Sequence, residues 1–162
     1  MKHDYTVQLS TKGINTLTKA LSDYQKWLER KADELASKLA SLGATSASLG
    51  FAQAMYDSDH NDFQISVVHD GPMSYTVRAD GHDVLFVEFG AGATMGYGHP
   101  EAGMNGMGPG TYNPESTNWS NPNGWWYGNG KHTYGNPPNM PMYNAVKNLE
   151  QELERIVREV FA

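Results

Sequence analysis

Six histidines, a run of aspartates and one carboxylate inside an apolar segment are the residues of this 162-residue chain best equipped for chemistry. The histidines are His3, His60, His69, His82, His99 and His132. No two stand four apart as helical metal ligands do, and no H-E-x-x-H occurs. His99 and His132 lie toward the two ends of a long loop and could meet with Glu101 in a zinc-binding triple, although nothing in their spacing requires it. Asp57, Asp59 and Asn61 match the first three ligand positions of a calcium loop. The glycine needed at 62 is Asp and the glutamate needed at 68 is Val, so a hairpin turn is expected instead. Gly90-Ala91-Gly92-Ala93-Thr94-Met95-Gly96 starts as a dinucleotide loop does. Met95 takes the place of its third glycine, and Gly98, Pro100 and Gly103 leave no room for the helix that would face phosphate. No G-x-S-x-G elbow is present, and a Ser-His-Asp triad has no support beyond composition. Glu88 interrupts the apolar run Val84–Phe89. A carboxylate buried there needs a partner, and Arg78, the nearest base in sequence, makes a structural ion pair a better expectation than a catalytic acid.

The elements that must position these residues follow from periodicity. Ile14, Leu17, Leu21, Tyr24, Leu28, Leu35, Leu39 and Leu42 recur at spacings of three, four and seven, which predicts a helical segment over 12–42. Ser10 or Thr11 would cap it and Gly43 would stop it, with Ser22 and Gln25 marking a break into two helices. Beyond Gly43 the period becomes two. Ala47–Met55, Phe63–Val67, Tyr75–Val77 and Val84–Phe89 read as four strands separated by turn residues, an antiparallel meander over 45–89. An extended loop over 90–137 follows. A last helix over 141–161, opened by Pro141 or Asn144, carries Val146, Leu149, Leu153, Ile156, Val157, Val160 and Phe161 on one stripe. The expected architecture is one α+β domain over 1–162, a four-stranded sheet packed by an N-terminal helical segment and a C-terminal helix.

Composition narrows the function classes. The chain has no cysteine, which excludes disulfides and thiolate chemistry. Its net charge is −6, and residues 43–130 hold nine acidic groups against the single base Arg78, a poor surface for coating nucleic acid. No apolar run approaches the roughly 20 residues of a membrane span, and no apolar signal core follows Met1–Tyr5. Twelve of the 17 glycines fall within 90–135 and seven of the eight prolines within 100–141. That stretch also carries Tyr97, Tyr112, Trp119, Trp125, Trp126, Tyr127 and Tyr134. It is too aromatic for a disordered linker and too long for an ordinary loop, and large aromatics with few charges point to protein contact.

The order Phe86-Val87-Glu88-Phe89-Gly90-Ala91-Gly92, His99-Pro100, Gly108-Pro109-Gly110-Thr111-Tyr112, Gly124-Trp125-Trp126-Tyr127-Gly128 and Gly135-Asn136-Pro137-Pro138-Asn139-Met140-Pro141-Met142, closed by an amphipathic helix, resembles the tail-completion or head–tail joining proteins of long-tailed bacteriophages, also called minor tail or neck proteins. The resemblance covers most of the chain; the E-F-G-x-G and N-M-P-M segments are its most specific parts. It implies a non-enzymatic virion subunit without cofactor or metal. Such a subunit is assembled in the host cytoplasm into a ring, commonly of six copies, between the head connector and the tail tube or terminator, with the genomic DNA passing through. Carried to this chain, Glu88, Phe89, Gly90 and Gly92 mark a strand exit near a subunit interface. Asn139, Met140 and Pro141 seat the last helix, and His99, Pro100, Trp125, Trp126 and Tyr127 belong to the loop that reaches a neighbour. The acidic stretch then gains a use: Asp57, Asp59, Asp62, Asp70 and Asp83 would line a lumen that repels DNA phosphate. A different class stays open, a tail-tip binding module whose tryptophans and tyrosines stack on a glycan or host surface. A metallohydrolase using His99 and His132 is a third, weaker reading.

Overall fold

The computed structural model describes residues 6, 9–54, 62–107, 121–126 and 130–162. Helix α1 (Thr11–Gln53) is unbroken over 43 residues, about 65 Å at 1.5 Å per residue. Its start is set by Ser10, whose Oγ accepts the Gly13 N–H at 3.1 Å, the expected cap. Thr16, Thr18, Ser41 and Thr45 are poor helix formers in isolation. Each donates its hydroxyl to the carbonyl four residues back, so these four side chains bond within the helix.

A hairpin of β1 (Gln64–Gly71) and β2 (Ser74–Asp80) lies against α1, with Val67 opposite Val77 and an irregularity between His69 and Gly71. Asp33 of α1 holds its turn: Oδ1 accepts the Met73 N–H at 3.0 Å, and Oδ2 accepts the Tyr75 hydroxyl at 3.4 Å. The short helix α2 (Val84–Phe89) follows, then a two-residue pair of strands, β3 (Trp125–Trp126) and β4 (His132–Thr133), and finally helix α3 (Pro141–Phe161).

Helices α1 and α3 pack antiparallel. Gly50 meets Pro141 at the start of α3, Ser46 accepts the Asn148 side-chain N–H at 3.1 Å, Lys38 pairs with Glu159 at 2.5 Å, and Trp27 meets Phe161 edge-on at 6.0 Å. The Lys38 hydrogen bond and charge hold the exposed Glu159 carboxyl below its ordinary range. The face of α1 turned inward is built of small residues. Ala40, Gly43 and Ala47 are buried along with Phe51, against Ala145, Ile156 and Val160 of α3 and the ring of Phe63. Small side chains let the helix axes approach, and Phe51 closes the end of the seam.

The chain is thus mixed helix and sheet with a helix toward each end, as expected, but the four-stranded meander is not present. Two two-stranded sheets replace it. Residues 47–53 continue α1 because Ala40, Gly43, Ala47 and Phe51 recur at helical spacing, and α3 buries that face. Gly43 does not stop the helix, and Ser22 and Gln25 do not break it. Val84–Phe89 is helical, a short apolar run whose period alone did not decide its type. Met55–Asn61, including Asp57 and Asp59, and the residues Tyr112, Trp119 and Tyr127 lie outside the described residues.

A Cβ added at Gly50 would stand 2.8 Å from Pro141 Cβ and 3.1 Å from its Cα, whereas one at Gly43 would press on the flexible end of Leu149 at 3.1 Å and touch Val77 at an ordinary 3.9 Å. Gly50→Ala is therefore expected to lower stability by about 1–2 kcal/mol, overcrowding outweighing the gain in helix propensity. Gly43→Ala should be close to neutral. Urea denaturation of both variants checks this; a stabilised Gly50→Ala would show that the helices do not meet there.

Candidate functional site

Eight of the residues singled out in sequence converge where α2 meets the start of α3. Helix α3 opens with Pro141, which has no N–H to satisfy, after Met140 in the left-handed region at φ 56° with no side-chain cap of its own. The next two amides point at a carboxylate from another element. Glu88 Oε2 accepts the Met142 N–H at 2.8 Å, and Oε1 accepts the Tyr143 N–H at 3.0 Å. The first intrahelical bond, Asn144 N–H to the Met140 carbonyl at 2.8 Å, completes the turn. Glu88 thus does from 54 and 55 residues away what an N-cap side chain does locally, and its negative charge faces the positive end of the helix.

His99 supplies the third donor. Its Nδ1 accepts the Glu101 N–H at 3.1 Å, which assigns the ring proton to Nε2, and Nε2 lies 3.1 Å from Glu88 Oε1. The two side chains are buried, at 7% and 2% exposure. Phe89 and Tyr143 flank the imidazole, with ring centres 4.4 and 5.4 Å away. Three donors around one carboxylate offset the cost of burying it. Glu88 does not pair with Arg78. Arg78 is exposed and bonds Asp80 through Nε at 2.8 Å and Nη2 at 2.6 Å.

The chain leaving α2 is locked to the chain approaching α3. Ala91 and Asn136 exchange backbone hydrogen bonds of 2.9 and 3.1 Å. The Asn136 side-chain amide donates to the Phe86 carbonyl at 2.9 Å, and the Asn139 N–H donates to the Val87 carbonyl at 2.8 Å. The last carbonyls of α2 are thereby capped by residues 136–139, as the first amides of α3 are capped from α2. Gly90 (φ 79°) and Gly92 (φ 87°) are required at this crossing. A Cβ on Gly90 would lie 2.8 Å from Pro138 N, and one on Gly92 would lie 2.7 Å from the Tyr134 carbonyl oxygen and 3.1 Å from the Trp125 ring.

Glu88, Phe89, Gly90, Gly92, His99, Asn139, Met140 and Pro141 therefore share one place. Pro100 is exposed beside it, and Trp125 packs over Gly92. Trp126 projects outward at 69% exposure against His132, which also meets Tyr134 at 4.9 Å. His132 does not join His99 and Glu101, and both ring nitrogens of His99 are already engaged, so the zinc triple does not form. Among the described residues no group of three metal-ligating side chains occurs. Of the acidic residues, Asp62 and Asp70 are exposed, Asp62 ahead of β1 and Asp70 near its far end. Asp83 is buried instead and bonds His82 Nδ1 at 2.9 Å; that bond and the carboxylate charge raise the His82 pKa. It cannot line a surface as expected. Asn136 was not singled out in the sequence, although it lies within the quoted G-N-P-P-N-M-P-M segment, and Gly50 was hidden by its assignment to a strand.

In this arrangement Glu88 and His99 bond each other and the backbone amides of Met142, Tyr143 and Glu101. Glu88 and His99 have the composition of an acid–base pair, but His99 has no nitrogen left for a substrate. The pair floors a largely apolar cleft of about 450 Å³ between β2, α2 and α3, bordered by Val84, Leu85, Tyr143 and Val146. In comparisons with known proteins, no family model matches the chain, and no curated protein or solved structure matches it. No helix among the described residues is long and apolar enough to cross a membrane.

Glu88→Ala strands the Met142 and Tyr143 amides and the His99 N–H, and is expected to cost about 3 kcal/mol. Arg78→Ala should change stability by less than about 0.5 kcal/mol. Thermal unfolding of the two variants side by side checks the assignment; equal losses would return the ion pair to Arg78.

Proposed function

We propose that the chain is a structural subunit of the neck of a long-tailed bacteriophage, acting as a tail-completion or head–tail joining protein in a ring through which DNA passes. The reading rests on the sequence resemblance to that family. One structural observation supports it: the E-F-G-x-G and N-M-P-M segments, the most specific parts of the resemblance, are joined by the bond from the Met142 N–H to Glu88, and Asn139 bonds the Val87 carbonyl just ahead of the first segment. Residues 93–135 leave and return at this clasp, a long aromatic-rich segment anchored at both ends. Such a segment suits burial against a neighbouring subunit. Tyr97, Met104, Trp126 and Tyr134 are exposed on it in the single chain. A non-enzymatic role accords with a buried glutamate and histidine whose bonding capacity is spent on holding helices.

Deleting the coding sequence from a phage that carries it is expected to leave separate filled heads and finished tails in electron micrographs. Joined, infectious particles would overturn the proposal, and overlong tails would move it to tail termination.

The exposed face of Trp126 with His132 and Tyr134 favours one second reading, a glycan- or surface-binding module at a tail tip. In that case the wild-type chain gives a glycan-array signal that Trp125→Ala/Trp126→Ala abolishes. Absence of any signal from the wild type removes this reading.

A further inference from the structure

Helix α1 carries six of its eight large aliphatic residues on a side that its own fold leaves largely open. Ile14, Leu21, Leu28, Leu35, Leu42 and Leu49 repeat every seven residues through six positions, a stripe that becomes apparent once residues 47–53 are seen to be helical. The inward face holds Ala40, Gly43, Ala47 and Phe51. Five of the six stripe residues (Ile14, Leu21, Leu28, Leu42 and Leu49) are 38–57% exposed, and Leu35 is half-buried. A strict seven-residue repeat drifts around a straight helix in the sense that a second helix follows by supercoiling. Helix α3 is not that second helix: it ends at Phe161 beside Trp27 and packs on the small-residue face. The stripe runs about 52 Å, from Ile14 to Leu49. Among the described residues α1 is the only helix of that length.

Charge selects the partner and its direction. Residues 11–31 hold five basic and two acidic groups, net +3, whereas residues 32–162 hold six basic and 15 acidic groups, net −9. A parallel pair would lay one basic arm along another. An antiparallel pair lays each basic arm beside the acidic body of its mate, placing Ile14 opposite Leu49, Leu21 opposite Leu42 and Leu28 opposite Leu35. The far end of the stripe also borders a groove between α1 and β1, lined by Thr45, Ser48, Leu49, Phe63 and Ile65, where the arm's first turns would lie. A strip of this length and about 11 Å width covers roughly 600 Å² on each copy, near the size of a small stable interface.

We infer that the free chain associates with a second copy of itself through this stripe, α1 against α1, antiparallel. The pair is twofold and closes at two. It does not use the neck reading and is not the contact that would propagate a ring, so its failure leaves that reading untouched.

The chain has no cysteine of its own, which makes cross-linking direct. Analytical ultracentrifugation of the full chain at about 100 µM is expected to give a dimer whose affinity falls with added salt. Oxidising a mixture of Leu21→Cys and Leu42→Cys chains should give the mixed 21–42 cross-link in preference to 21–21 and 42–42. Leu21→Glu, on the arm beyond the end of α3, should weaken association at least tenfold while circular dichroism retains the helix content. A monomeric wild type, a majority of same-site cross-links, or a Leu21→Glu chain that dimerises normally would each overturn the inference.

Discussion

The Glu88 carboxylate is the constraint on which the junction of this protein depends. It sits in a short helix, is shielded from water, and accepts from two amides of another helix and from one imidazole. Buried alone, such a charge would be strongly destabilising; surrounded by three donors at the positive end of a 21-residue helix, it becomes a fastening. Each partner needs the others. Pro141 gives α3 a start without a local cap, Met140 turns the chain through the left-handed region to aim the amides, and the Glu101 N–H fixes the His99 tautomer that donates.

The reciprocal half of the clasp runs through the backbone. Asn136 and Asn139 cap the carbonyls with which α2 ends, and the glycines at 90 and 92 let the strands of chain cross at distances that a side chain would forbid. One consequence is mechanical. Ala91 and Asn136, on either side of the aromatic segment 93–135, are bonded to each other, so its two ends start from one closed frame.

Part of this was legible in the sequence. The stripe and the Pro141 start of α3 are local signals, as is the alternation of Phe63–Val67 and Tyr75–Val77. The site residues were legible as a group because Glu88 is conspicuous in an apolar run and the glycines flank it. Their mutual arrangement was not, because the partners of Glu88 lie 11 to 55 residues away and share no periodicity with it. The same cause explains the two missing strands. Ala47, Leu49 and Phe51 alternate as a strand does, but Ala47 and Phe51 also stand four apart, and only α3, some 90 residues on, decides which period is used. Val84–Phe89 is a helix because residues 136–139 cap it. Asp83 is buried and bonded to His82, and nothing in its neighbours' types announced that.

The most direct test of the Glu88 fastening is site-resolved amide hydrogen exchange at Met142 and Tyr143. These are first-turn amides with no intrahelical partner, and in an ordinary helix they exchange readily. If the carboxylate holds them, they exchange as slowly as Leu149 or Ile156 in the body of α3. Free exchange at both amides in the folded chain would contradict the account.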